Sequence, residues 1–271
     1  MKNLGIEIEF TGITREVLTT ALERLFNTKA KIKLSSKNEY PYNSYWVTDN
    51  NGKVWGIIRD RSLLAQRFND NNEVCDVKEY IECFEYSCEL VSPVLDSATI
   101  VNLFTIIDIV KALGGIVNET CGIHVHIDKP ESFNEIYSLF RKYVDQQDEI
   151  YRIWNVKEHR RESYCKLYNF DTSLNFETLE DFTDYLYEHF TDANAGDELH
   201  VRRSLRYYGL NVHALRSHNT LEFRIFNSSL DKRYIASIIN WVLYFCYAPD
   251  EIIDYMPVLG SLLQTEDLRE S

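Results

Sequence analysis

Glycine is scarce in this chain, at 10 of 271 residues, and proline scarcer at 5. That excludes a collagen-like, low-complexity or solenoid chain. The glycines present build no nucleotide loop. There is no G-x-G-x-x-G after a strand and no G-x-x-x-x-G-K-[ST], so neither a Rossmann nor a P-loop site is supported. A G-x-S-x-G nucleophile elbow is also missing. The six cysteines (75, 83, 88, 121, 165, 246) form no C-x-x-C pair and no knuckle spacing. Their pattern argues against a structural zinc site and for a reducing, cytoplasmic compartment. Positive charge is in deficit: 29 Lys and Arg against 42 Asp and Glu give a net charge of −13. A general nucleic-acid binder needs the opposite balance. Long apolar runs are lacking too. Ile235 to Ala248 is interrupted by Ser237 and Asn240 and is too short to span a bilayer; it reads as a buried helix ending before Pro249. Glu7 and Glu9 break the only early apolar run, so neither a signal peptide nor a membrane partner is expected.

What the chain does have is aromatic bulk, 18 Tyr and 14 Phe, and a repeated strand device. In Gly5-Ile6-Glu7-Ile8-Glu9-Phe10, apolar residues alternate with two glutamates. Residues two apart on a strand face the same side, so both carboxylates project together from an apolar element. Two anions so close repel and resist desolvation unless a cation neutralises them. Gly122-Ile123-His124-Val125-His126 and Leu221-Glu222-Phe223-Arg224-Ile225 repeat the pattern with other polar pairs.

Length and the lack of a Pro/Gly/Ser linker predict one domain over residues 1–271, with insertions. Helices are expected over Thr14 to Phe26, Ser97 to Leu113, Ser132 to about Trp154, Thr178 to Phe190 and Asp231 to Tyr247. Residues 29–90 read as a run of strands, including Cys83 to Val91, with a hairpin at Asn51-Gly52 and an exposed loop from Asn69 to Glu79. Strands mixed with helices, without regular βαβ alternation, predict an α+β fold with a largely antiparallel sheet.

Taken singly, each polar pair has a plain alternative: a solvated edge for Glu7 and Glu9, satisfied core residues for the histidines, a buried ion pair for Glu222 and Arg224. Glu89 precedes a Ser92-Pro93 turn, its strand placing Glu85 on the same side, and Asp60 follows an aromatic strand. Arg160, Arg161, Lys166, Arg202, Arg203 and Arg206 stand out in an acidic chain and read singly as solvated charge. Together, several glutamates and a histidine without a cysteine motif make a hard, oxygen-rich donor set suited to Mg²⁺ or Mn²⁺.

In order, the chain carries Gly5-Ile6-Glu7-Ile8-Glu9, Asp60-Arg61-Ser62, Glu89-Leu90-Val91-Ser92-Pro93, Gly122-Ile123-His124-Val125-His126 and Thr220-Leu221-Glu222-Phe223-Arg224. This series resembles the amidoligase family, a branch of the carboxylate–amine ligases related to glutamine synthetase and glutamate–cysteine ligase. One departure is Arg61, where the family's motif carries glycine. The resemblance implies a curved antiparallel catalytic sheet with helices outside, binding ATP and two or more divalent cations, with residues at about 130–200 as a variable, mostly helical insertion. It makes Glu7, Glu9, Glu89, His126 and Glu222 metal-ligand candidates. Arg224 would contact the transferring phosphate, His124 would orient a substrate or metal-bound water, and Asp60 would hold a metal or the incoming amine. Lys166 and Asn211 would contact nucleotide or substrate. The expected activity is ATP-dependent amide-bond formation between small-molecule or peptide substrates, with oligomeric state left open. The alternatives are a metal-dependent hydrolase using His124 and His126, and a non-catalytic nucleotide- or peptide-binding module.

Overall fold

The apolar alternation of the first strand is realised in β1 (Leu4–Phe10), where Leu4, Ile6, Ile8 and Phe10 are buried and Glu7 is half-buried. Glu9 breaks the alternation, because it is buried as well. These observations come from a computed structural model that describes residues 3–33, 43–191, 204–248, 251–252 and 255–263. Arg202 and Arg203 of the basic groups lie outside the described residues, as does the end of the expected helical insertion. The fold is α+β and its sheet pairing is mostly antiparallel, as the sequence predicts. The chain forms two compact units, divided between Ile123 and His124 and again between Asn227 and Ser228.

In the first unit Thr14 caps α1 (Arg15–Leu25) by accepting a hydrogen bond from the Val17 N–H. The strands β2 (Lys31–Lys33), β3 (Ser44–Thr48), β4 (Val54–Ile58) and β7 (Cys88–Val91) join β1 in the order β2-β3-β4-β7-β1, each neighbouring pair antiparallel. Helix α1 packs on β3, β4 and α3 (Ser97–Ala112), and α3 opens with Asp96 in a capping box. Leu18 and Leu22 of α1, Trp55 and Ile57 of β4 and Ile107 of α3 are fully buried. Helix α8 (Lys232–Cys246) buries Ile235, Ile239 and Val242 and packs on α9 (Met256–Leu263). Among the described residues no helix is long and apolar enough to cross a membrane.

Two expectations are corrected here. The segment from Asn69 to Glu79 is no plain loop: it belongs to a hairpin of β5 (Gln66–Phe68) and β6 (Val74–Asp76). The Asn69 side chain accepts the N–H groups of Asn71 and Glu73, and Asn72 takes a left-handed φ of 60°, a conformation asparagine tolerates. Cys83 to Val91 is not one strand either, because Tyr80–Tyr86 forms α2. The Glu79 carboxylate caps it through the Ile81 and Glu82 N–H groups, and Tyr80 packs edge-on against Phe84 one turn later. Glu85 therefore sits on a helix and shares no strand face with Glu89.

The β3–β4 turn is held by one carboxylate. Asp49 Oδ1 accepts the N–H groups of Asn51 and Lys53, and Oδ2 accepts Trp55 Nε1 at 3.0 Å and Asn102 Nδ2 at 2.9 Å. Burial opposes the anion, but these donors outweigh it and hold the carboxyl below the usual aspartate range. A lowered folded pKa supplies stability above the unfolded value, about 3.9, and that stability is lost as pH falls through the folded value. Asp49→Ala leaves the fully buried Trp55 N–H without its acceptor, at a cost of about 1–3 kcal/mol. Urea titration should show a lower midpoint at unchanged slope, and the gap to wild type should narrow below pH 4.

In the second unit, which β8 (Gly122–Asp128) enters at His124, β8, β10 (Thr220–Asn227) and β9 (Leu210–Asn211) lie in the order β8-β10-β9. β9 and β10 are antiparallel, with Glu222 opposite Asn211. The Lys129 N–H donates to the Asn219 carbonyl where β8 ends and β10 begins. Around them stand α4 (Phe133–Ile153), α5 (Glu158–Ser163), α6 (Leu179–Phe190) and the short α7 (Ala214–Ser217). An aromatic core joins α4 to α6: Phe140 lies edge-on to Phe182 and to Tyr168, with ring centroids 4.9 Å apart in both pairs.

Candidate active site

The first unit gathers carboxylates. Antiparallel register sets Glu9 of β1 directly opposite Glu89 of β7, and Glu89 is also opposite Ile58, the last residue of β4. The chain leaves β4 through Arg59 to Asp60, which brings a third acid to the pair. One oxygen from each of Glu9, Asp60 and Glu89 lies within 4.8 Å of the others. Glu9 and Glu89 are buried, at 2% and 6% exposure. Burial, and then repulsion from Glu7, Glu9 and Asp60, pushes the Glu89 carboxyl well above the ordinary glutamate range.

Each acid is held in place by its own neighbours. Glu9 Oε2 accepts the Gly122 N–H at 2.5 Å, and the Glu9 carbonyl accepts the Ser228 hydroxyl. Asp60 Oδ1 accepts both the N–H and the hydroxyl of Ser62, closing an Asx turn, while its carbonyl accepts the Ser87 hydroxyl. Arg61, at the family's glycine position, is exposed and is not among the residues with positive φ. The turn here therefore makes no demand for glycine.

The second unit gathers a mixed set around Glu222 of β10. Arg224 Nη1 donates to Glu222 Oε1, and Asn211 Nδ2 donates to Oε2 at 2.6 Å. His124 Nδ1 stands 3.6 Å and His126 Nε2 3.9 Å from Oε1. The other nitrogen of His126 pairs with Thr220 Oγ1 at 2.9 Å. A proton donated from Nδ1 to Thr220 leaves Nε2 with the lone pair a metal needs. Asn211 Oδ1 is buried and makes no hydrogen bond among the described residues.

Of the predicted site residues, Glu7, Glu9, Asp60 and Glu89 thus belong to the first unit, and His124, His126, Asn211, Glu222 and Arg224 to the second. Lys166 is exposed, outside the buried polar set. Its main chain takes part in the frame instead, donating to the Tyr207 carbonyl and accepting from Gly209. Sequence reasoning assigns no role to Thr220, Gly122 or Gly209, whose roles depend on contacts distant in the chain. The Gly209 carbonyl accepts the Arg224 N–H at 2.8 Å. A Cβ at Gly209 would fall 2.1 Å from the hydroxyls of both Tyr143 and Tyr151. Those hydroxyls are buried and bonded to each other, and Tyr151 also bonds the Cys165 carbonyl at 2.6 Å. Gly209→Ala must displace them, and overpacking of this kind costs about 1–3 kcal/mol. Thermal unfolding should show a lower midpoint than wild type, and an unchanged midpoint would rule out this packing.

Chemically, the first set is oxygen-only and anion-dense, and the second combines a carboxylate, imidazoles and a guanidinium. The oxygen donors fit a hard divalent cation, and the guanidinium fits a phosphate or carboxylate oxygen. A family model described as "Putative amidoligase enzyme" matches residues 1–246 of the chain. No curated protein matches it.

Proposed function

The chain belongs to the amidoligase family, and from that premise we propose that it is an ATP- and Mg²⁺-dependent ligase joining a carboxylate to an amine. The observation that carries this reading is the trio of buried Glu9, half-buried Asp60 and buried Glu89, whose mutual repulsion calls for a cation. Bound MgATP supplies the phosphoryl group that converts a carboxylate, a poor electrophile, into an acyl phosphate open to attack by an amine.

This chain's residues then have distinct tasks. Glu9 and Glu89 hold the cation, with Glu7 beside them on β1, and Asp60 either joins them or takes the amine's proton. In the second unit Glu222 and His126 offer a further carboxylate–imidazole pair for a metal. Arg224, buried and already paired with Glu222, donates to a phosphate oxygen as negative charge grows there. His124 orients a substrate or water, and Asn211 offers its buried Oδ1 to a donor on the nucleotide or substrate. The exposed Lys166 serves as an outer anion contact. Substrates of this kind are small molecules or peptides, and the enzyme works in the cytoplasm.

The test is ADP release from MgATP by purified protein offered pools of carboxylates and amines. ADP that appears only with both substrates supports the reading. Bound zinc, with amide hydrolysis that needs no ATP, would replace it with the hydrolase that the His124–His126 pair also resembles.

A further inference from the structure

Arg160 of α5 is only 1% exposed, the most deeply buried arginine among the described residues. A buried guanidinium ordinarily has a carboxylate partner. Arg160 has none within ion-pair distance among the described residues, and its buried Nε makes no hydrogen bond there. Its side-chain bond runs from Nη2 to the carbonyl of Arg224, 2.8 Å away. The same Arg224 peptide is held on its other side, where its N–H donates to the Gly209 carbonyl at 2.8 Å. Arg160 is fixed in turn, since its own carbonyl accepts the Tyr164 and Cys165 N–H groups. Arg161 and Arg224 also lie close. The Cys165 thiol is pushed up by burial, and the positive charges of Arg160, Arg224 and Arg161 act against that rise.

An uncompensated buried cation costs stability, so a purely architectural role would be better served by an apolar side chain. We propose that Arg160 is a positioning residue: through the Arg224 carbonyl it fixes where the Arg224 guanidinium stands to meet an anionic ligand. The ligand side of this inference rests on the reading of Arg224 as the phosphate donor; the hold on Arg224 does not. The planar fork reaches the Arg224 carbonyl and holds that stretch of backbone, and with it the start of the Arg224 side chain that meets Glu222.

The test is proton exchange at the Arg224 Nε–H, followed by ¹⁵N NMR and assigned by its disappearance in Arg224→Lys. Arg160→Met keeps the volume and removes the charge and the donor; Arg160→Lys keeps the charge and removes the fork. We expect exchange at Arg224 to quicken by about tenfold or more in Arg160→Met and by less in Arg160→Lys. The thermal midpoint of Arg160→Met should stay at or above wild type, because the cost of burying the Arg160 charge is gone. Exchange at the wild-type rate in a folded Arg160→Met, or in Arg160→Lys should the first not fold, would overturn the proposal. Adding MgATP to the wild type decides the other question. A shifted Arg224 signal supports its role as anion donor, whereas an unmoved signal sinks that reading and leaves the exchange result to judge Arg160.

Discussion

Glu222→Gln should reduce ADP release by about 10²–10³-fold while the protein stays folded. The size is that of losing one charge-stabilising contact in a water-excluded site. The choice of glutamine matters. Glu222 accepts from Arg224 and from Asn211 in a buried setting. Glu222→Ala would leave the Arg224 guanidinium buried without its carboxylate, at about 3–5 kcal/mol, and lost activity could then reflect lost structure. Glutamine keeps one oxygen for Arg224. Its new amide N–H can donate to Asn211 Oδ1 once the Asn211 amide turns over, using the acceptor that makes no hydrogen bond among the described residues. Stability should therefore fall by less than in Glu222→Ala, because both neighbours keep a hydrogen-bond partner although the countercharge is gone. Turnover at the wild-type rate, with a wild-type melting curve, would remove Glu222 from the chemistry.

Glu89→Gln should do two opposite things: stabilise the metal-free protein at neutral pH and abolish its stabilisation by Mg²⁺. The sign follows from the raised Glu89 pKa, set first by burial and then by Glu7, Glu9 and Asp60. A carboxyl whose folded pKa exceeds its unfolded value binds its proton more tightly when folded. Its stabilising proton is fully present at low pH and is lost as pH rises from the unfolded value, about 4.3, through the folded one. Glutamine imitates the protonated form permanently, and each unit of raised pKa is worth about 1.4 kcal/mol above it. The metal-free variant should thus melt several degrees above metal-free wild type at pH 8 and converge with it near pH 4. Saturating Mg²⁺ should raise the wild-type midpoint, about 2.7 kcal/mol at one hundred times Kd, and leave the variant nearly unmoved. Equal Mg²⁺ shifts in both proteins would place the cation elsewhere.

The fold was legible wherever local chemistry and tertiary packing agree. Thr14, Ser132, Thr178 and Asp231 each announce a helix start and each accepts a capping hydrogen bond. The alternation of β1, β8 and β10 reveals strands because their apolar faces enter the core. The strand expected over Cys83 to Val91 gives way to a helix up to Tyr86 because the aromatic and apolar residues there suit a strand as well as a helix, and the Glu79 cap that decides between them is an unusual one. The site was legible as a set of residue types and less so as geometry. Glu9 and Glu89 meet through a strand register that no local pattern encodes. Arg160 lies within Glu158-His159-Arg160-Arg161-Glu162, where every neighbour argues for solvent, yet it is buried. Its environment is set by β10, 64 residues further along the chain.

The central claim is that this chain activates a carboxylate with ATP, and trapping with hydroxylamine tests it most directly. Hydroxylamine replaces the amine and converts an acyl phosphate into a stable hydroxamate. The purified protein, with Mg²⁺ and a pool of amino-acid and peptide carboxylates, should yield hydroxamate and ADP in equal amounts, neither forming without ATP. Hydroxamate that forms from amides at the same rate without ATP, and with no ADP, would contradict the claim.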